Sequence, residues 1–391
     1  MLQAVSTSDT TSQAARSAMS CSSCNSCGAK PDPPVLAVVL DLDGTLLDTE
    51  VGGKGALKEF LGKYGKVLDE KNDQKRLGRT LKETAIAMVT DYGLPLTPDQ
   101  YVEEIVPMYR QGWAKARALP GANRLIKHLQ KCRVPFALAS NSLRDYIDAK
   151  ICHQQGWKEC FSVIVGSDDV QSGKPSPDIF IEAARRMRID ATRCLVIEDS
   201  LVGVQAAKAA KMKVVAVPSY NEADCSSMAD SVLHSLLEFQ PELWGLPPFD
   251  DWLNNALPIE TMVLSCQHMN GSIYEIEEGG MSPIPAQAAG VYFGWAQIGI
   301  HTIFKAVVSI IFDSPSAVRK LHLCSIDGSL DRVSDQHVQL SLVGFIRGFK
   351  SKDVMSKDKT IDEQDKSIAS SSLELPEFMC RSNLSFGDSK I

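Results

Sequence analysis

The chain has 391 residues, 44% of them hydrophobic and 23% charged, with a formal net charge of −7. That is ordinary globular composition, long enough for two domains and tails. No basic stripe is present, which argues against nucleic acid as a partner. The eleven cysteines are scattered and no secretory apolar segment precedes them, so they read as reduced thiols of a cytoplasmic protein.

Residues 1–33 are mostly Ser, Thr, Ala and Cys and hold almost no large apolar side chains, so a disordered tail is expected. Cys21, Cys24 and Cys27 stand at C-x2-C-x2-C spacing, but no fourth ligand with suitable spacing follows to complete a zinc site. The Ser-rich, acid-poor composition keeps a plastid location as the alternative.

Val35–Leu40 is an unbroken apolar run, the signature of a strand buried on both faces of a parallel sheet. It ends in Asp41-Leu42-Asp43-Gly44-Thr45, so two carboxylates stand where open α/β sheets do their chemistry. The turn begins between them and lets them converge on one ligand. Such a pair suits a hard cation such as Mg²⁺. It also suits covalent catalysis, in which one Asp attacks phosphorus and the other handles the proton. A bare D-x-D is more often a solvated turn, but the wider pattern through Asp48-Thr49 is far more specific.

From Thr49 to about Ala118 the pattern is helical. Leu57, Phe60, Leu61 and Tyr64 share one helix face, and further helices are expected over Leu81–Tyr92 and Pro98–Arg117. Arg79 lies between two of them; it either reaches an anionic substrate group or is a solvated loop residue. A helix through Lys131 then leads into the buried strand Val134–Ala139, which ends at Ser140 and Asn141. Hydroxyl and backbone N–H groups at a strand-to-helix turn make a phosphate cradle. Phe161–Gly166 is a third strand. Lys174-Pro175-Ser176-Pro177 opens a helix over Ile179–Met187 and holds an ammonium ahead of it. Cys194–Ile197 is a fourth strand, ending in Glu198 and Asp199; a helix over Val204–Lys211 and a fifth strand at Lys213–Pro218 follow. Strands alternating with helices give an α/β, doubly wound parallel sheet with an inserted helical cap.

Residues 221–258 read as a linker holding a weak helix at Ser231–Phe239 and aromatic anchors from Trp244 to Trp252. Short strands then follow at Met262–Cys266, Val291–Ala296, Phe304–Phe312, Lys320–Cys324 and Val338–Arg347, as in a small, incomplete antiparallel β-barrel. Between Gly290 and Phe312 only Lys305 is charged, yet the glycines, His301 and Thr302 favour two strands and a turn over a membrane span. Residues 350–391 are charged and then Ser-rich, and are expected to be disordered.

Four motifs, Asp41-x-Asp43-Gly44-Thr45, Ser140-Asn141, Lys174-Pro175 and Glu198-Asp199, stand in the order of the haloacid dehalogenase (HAD)-type phosphatases, which residues 34–220 resemble. The resemblance implies that Asp41 forms an aspartyl-phosphate and that Asp43 protonates the leaving oxygen and then activates water. It implies that Ser140, Asn141 and Lys174 bind the phosphoryl group. It assigns Mg²⁺ to Asp41, Asp199 and the backbone carbonyl of Asp43, with Glu198 close by. Residues 119–129, 156–168, 173–180 and 244–259 further resemble plant fusions of an FMN phosphatase to a riboflavin kinase barrel. FMN is therefore the favoured substrate among small phosphorylated compounds, with glycerol or sugar phosphates as the runner-up. The kinase family's phosphate-binding stretch and Pro-Thr-Ala-Asn motif are absent from residues 259–289, and Ile311-Phe312-Asp313 stands where Asn-Pro-x-Phe is expected. Residues 259–349 are therefore expected to be a degenerate, inactive kinase-like barrel, the alternatives being a retained kinase or a flavin-binding module.

Overall fold

Strand β1 (Ala37–Leu40) is buried along its whole length, and its side chains alternate between two cores. Val38 and Leu40 face one, Ala37 and Val39 the other. The same alternation runs through β2 (Phe136–Ala139) and β4 (Cys194–Glu198), which flank β1 in parallel register, Val38 lying opposite both Phe136 and Leu195. Period-two alternation with apolar residues on both faces is what a sheet covered by helices on each side requires.

The computed structural model describes residues 34–69, 78–218, 225–269, 272–275, 284–285, 287–299, 302–313, 318–326, 328, 337–349 and 361–379. The Cys21, Cys24, Cys27 cluster and most of the expected kinase loop region, 276–283, lie outside them.

With β3 (Val163–Val165), β5 (Lys213–Ala216) and β6 (Ser231–Val232), the parallel sheet has six strands in the order β3-β2-β1-β4-β5-β6. Helices α4 (Ala122–Lys131) and α5 (Arg144–Ile151) and the single turn α6 (Trp157–Cys160) cover one face through Leu125, Leu129, Ile147 and Trp157. Helices α7 (Asp178–Met187) and α8 (Leu201–Ala209) cover the other, where Ala37, Ala137 and Ala139 let them approach closely. Strand β6 corrects the sequence reading. The weak helix expected at Ser231–Phe239 is a two-residue parallel strand followed by a short 3₁₀ turn, so the segment read as linker completes the sheet.

The cap is α1 (Thr49–Lys63), α2 (Leu81–Tyr92) and α3 (Pro98–Trp113), packed around Phe60, Met88, Tyr101 and Ile105. Thr80 with Glu83 and Thr97 with Gln100 form capping boxes that fix where α2 and α3 begin. Two chain crossings join cap to sheet, tied by Asp48 N–H to the Arg117 carbonyl and Leu119 N–H to the Leu46 carbonyl.

The second half is six antiparallel strands: β7 (Leu257–Met269), β8 (Ser272–Glu275), β9 (Gly290–Ile298), β10 (Thr302–Asp313), β11 (Val318–Ser325) and β12 (His337–Arg347). Their pairing order β10-β11-β8-β7-β12-β9 closes on itself through β9 and β10. Between β11 and β8, Leu321 pairs with Ile273. The barrel interior is filled by Tyr292, Phe304, Leu340 and Phe345. The apolar stretch at Gly290–Phe312 is a pair of these strands, as expected; among the described residues no helix is long and apolar enough to cross a membrane.

Part of the C-terminal segment expected to be disordered is folded. Helix α9 (Glu363–Ser372) lies against the outside of the barrel, burying Ala369, Leu373 and Phe378 beside Phe293 and Val307. Arg347 at the end of β12 anchors it with a bidentate pair to Asp365, 3.0 and 2.9 Å.

Candidate active site

Every sheet strand that carries a motif delivers it to the same edge. Asp41 follows β1, Ser140 and Asn141 follow β2, Glu198 ends β4 with Asp199 after it, and Lys174 enters from the loop before α7. Lys174 is 2% exposed and its ammonium donates to Asp41 Oδ1 at 2.5 Å and to Glu198 Oε1 at 2.7 Å. Glu198 Oε2 in turn accepts from the Ser200 N–H and hydroxyl at 2.8 and 2.9 Å. Thr45 donates to Asp199 at 3.4 Å. Gly44 between these groups has φ +82°, and a Cβ there would stand 2.1 Å from Asp199 Oδ2. Glycine is required both for the left-handed backbone and for the close approach of that carboxylate.

Oxygens of Asp41, Glu198 and Asp199 lie within 4.8 Å of one another, and Asp41 Oδ2 is buried with no hydrogen-bond partner. An oxygen-only cluster with an unpaired carboxylate oxygen fits a hard divalent cation. Burial pushes Asp41 up to about 7, with the Glu198 and Asp43 carboxylates adding to the shift and Lys174 opposing it. Lys174 is raised against its own desolvation by Asp41 and Glu198, and stays an ammonium.

Asp43 turns the other way. Its carboxylate accepts from Lys150 at 2.7 and 2.9 Å, from Thr49 at 2.8 Å, from Ser142 at 3.0 Å and from Ser140 at 3.2 Å. Burial alone would raise its pKa, but the charge and hydrogen bonds of Lys150 outweigh that and hold it below the usual range. The expected convergence of both carboxylates on one cation is therefore only half seen. Asp43 lies beside the acidic cluster with its side-chain carboxylate engaged by Lys150, Thr49, Ser142 and Ser140.

The Asn141 side chain is engaged within the protein. Its nitrogen donates to the carbonyls of Gly78 and Lys174 at 2.7 and 3.2 Å, and its oxygen accepts the Lys174 N–H at 2.8 Å. These bonds use the side-chain amide to clamp the Lys174 loop to the cap. Sequence reasoning missed Lys150, Ser142 and Thr49. Lys150 sits on α5 among apolar neighbours, its head 4.9 Å from the Trp113 ring centroid.

A cavity of about 250 Å³ opens over Asp41, Asp43 and Lys174. Its cap wall includes Lys54, Arg79, Tyr109 and Trp113, and Tyr146 of α5 faces them. Tyr109 stacks on Trp113 at 6.4 Å, and Trp113 meets Tyr146 at 5.2 Å. Arg79 thus stands exposed on the rim, where it can meet an anionic substrate. A larger crevice, about 1050 Å³, lies between α4 and β7, away from this chemistry; its Arg124 and Lys131 are paired with Asp251 and Asp250.

The haloacid dehalogenase-like hydrolase family matches residues 38–217. The chain is 40% identical over 355 residues to the bifunctional riboflavin kinase/FMN phosphatase of Arabidopsis thaliana, covering 87% of this chain and 94% of that protein. It is 37% identical over 225 residues to (DL)-glycerol-3-phosphatase 2 of the same plant, covering 55% of this chain and 92% of that one. Among solved structures, CbbY from Rhodobacter sphaeroides in complex with phosphate is 26% identical, with a TM-score of 0.48 over 52% of this chain and 96% of that one.

Proposed function

The chain belongs to the haloacid dehalogenase-like hydrolases and is a phosphatase of that family, and from that premise we propose that it hydrolyses FMN to riboflavin and inorganic phosphate with Mg²⁺. The observation that carries the reading is Asp41, buried, with one oxygen held by Lys174 and the other free, beneath a cavity walled by aromatic rings. A flat tricyclic flavin suits the Tyr109, Trp113 and Tyr146 wall through ring stacking. The name of the Arabidopsis relative, which aligns along both halves of the chain, supports the same substrate.

In this reading one carboxylate oxygen of Asp41 attacks phosphorus, the ester P–O bond breaks and an aspartyl-phosphate forms. Lys174 orients Asp41 and neutralises the phosphoryl oxygens, and Ser140 adds a donor. The departing oxygen takes its proton from Asp43. In the resting chain Asp43 is a carboxylate; the incoming phosphate dianion raises its proton affinity, and it takes up a proton from solvent as the substrate binds, which it then donates. Once it has given up the proton, Asp43 removes one from the water that attacks the aspartyl-phosphate, and Asp41 is freed. Asp41, Asp199 and the Asp43 carbonyl, with Glu198 beside them, would hold Mg²⁺, which when bound would supply positive charge to the phosphoryl group.

A glycerol-phosphate phosphatase is the second reading, favoured by the likeness of residues in this half to the glycerol-3-phosphatase. The aromatic wall offers such a substrate little. The barrel is read as lacking kinase activity, since no nucleotide-phosphate motif stands before β9.

The test is phosphate release from FMN and from glycerol 3-phosphate, each with and without Mg²⁺, by the full chain and by Asp41→Asn. Mg²⁺-dependent release with kcat/KM about tenfold higher for FMN is expected, and Asp41→Asn should lose at least about 10³-fold. A kcat/KM favouring glycerol 3-phosphate moves the substrate to the second reading. Activity of Asp41→Asn within tenfold of the parent overturns the covalent mechanism. FMN formed from riboflavin and ATP by that variant overturns the reading of the barrel.

A further inference from the structure

Gln287 lies between the parallel sheet and β9, and its side chain is 1% exposed. The segment around it belongs to the barrel: Ile284 and Ala288 are part of the barrel core. Its amide leaves the barrel altogether. Nε2 donates to the Gly44 carbonyl at 2.5 Å and to the Val217 carbonyl at 2.8 Å. Both partners are acceptors, so the orientation of the amide follows from them, and both of its N–H groups are used. Oε1 is buried without a partner, so the side chain is placed for the two donations.

Those two carbonyls are in telling places. Gly44 separates Asp43 from Thr45, and its own N–H is bonded to the Leu47 carbonyl. Val217 follows β5, and its N–H donates to the Glu198 carbonyl at 2.7 Å. One barrel side chain therefore ties the loop carrying the nucleophile and the acid to the strand end beside Glu198. We propose that Gln287 is a positioning residue for phosphoryl transfer, and that the barrel serves the phosphatase by supplying it. Without the amide, two buried carbonyls lose their donor and the Asp41–Thr45 loop is free to shift relative to Lys174 and Asp199. Sub-ångström placement of such groups controls rate more than binding.

The inference rests on the phosphatase reading and not on the choice of FMN, so the assay uses p-nitrophenyl phosphate with Mg²⁺ and the unmodified full chain as control. No turnover by that control would tell against the phosphatase reading; a difference between control and variants concerns Gln287 alone. Gln287→Leu keeps an apolar side chain of about the same volume, one atom shorter, and removes both donors. It should lower kcat about tenfold or more while KM changes by less than about threefold. Gln287→Glu places a carboxylate against two carbonyls at high pH and regains one donor on protonation. Its kcat deficit against the control should therefore shrink by about threefold or more between about pH 8 and pH 5.5. If both variants keep kcat within twofold of the control, the proposal is overturned. A Gln287→Glu deficit that does not change with pH overturns it as well, even if Gln287→Leu fails to fold.

Discussion

Gly203→Ala is the substitution whose sign helix propensity gets wrong. Gly203 lies in the first turn of α8, and an Ala in an exposed helix interior stabilises by roughly 1 kcal/mol relative to Gly. Here a Cβ would stand 1.7 Å from Glu198 Oε1, 1.9 Å from its Cδ and 2.5 Å from Oε2. Glu198 is fully buried and holds Lys174 at 2.7 Å and the Ser200 N–H at 2.8 Å. It cannot retreat without giving up those bonds. Breaking a buried ion pair by displacing one partner costs about 3–5 kcal/mol, so the net effect is destabilisation by about 3 kcal/mol. The neighbouring Asp41 also loses the placement of its Lys174 partner, so kcat should fall about 100-fold. Urea unfolding followed by tryptophan fluorescence reads the first effect and Mg²⁺-dependent phosphate release the second. A Gly203→Ala variant at least as stable as the parent, with kcat within twofold, would refute the placement of Glu198 described above.

Lys150→Met removes the cation that holds Asp43 down, so the limb of the pH–rate profile governed by Asp43 should move to higher pH; an unchanged profile would exclude Asp43 as the titrating group. Tyr109→Ala removes one stacking ring, worth about 1 kcal/mol, so KM for FMN should rise about fivefold and that for glycerol 3-phosphate should not; equal effects on both would remove the aromatic wall from substrate choice. Arg185 and Arg186 hold Glu182 down at about 2, so its contribution to stability is present above its ordinary pKa of 4.5 and lost as pH falls through about 2. For a pair this near the surface that is about 1 kcal/mol after solvent screening, read as a Glu182→Gln deficit at about pH 7 that closes near pH 2; a deficit independent of pH would exclude the ion pairs as its source.

The parallel sheet and its catalytic edge were legible because their signals are local and redundant. A strand buried on both faces must be a continuous apolar run, as at Val35–Leu40 and Cys194–Ile197, and the chemistry must stand at its carboxyl end. Lys174 was legible from its place in the order of motifs, in a loop that Pro175 and Pro177 stiffen. Lys150 was not, because a lone Lys on a helix is normally solvated, and only the fold turns it under Trp113 toward Asp43. The edge strand β6 is two residues long, too short for any periodicity. Helix α9 reads as polar and Ser-rich because it lies on a surface already formed and buries only a few of its side chains. Gln287 carries no sequence signature at all. A buried amide is defined by its acceptors, and these lie at Gly44 and Val217 in the other half of the chain.

That separation along the chain also sets an order in time. The ribosome completes the parallel sheet when Val232 emerges, and Gln287 follows roughly 55 residues later. At about 5–20 residues per second, several seconds separate synthesis of the last sheet strand from synthesis of the amide that reaches the Gly44 carbonyl. With Gln287 as the positioning residue proposed above, the full turnover rate is reached only when the barrel segment is in place.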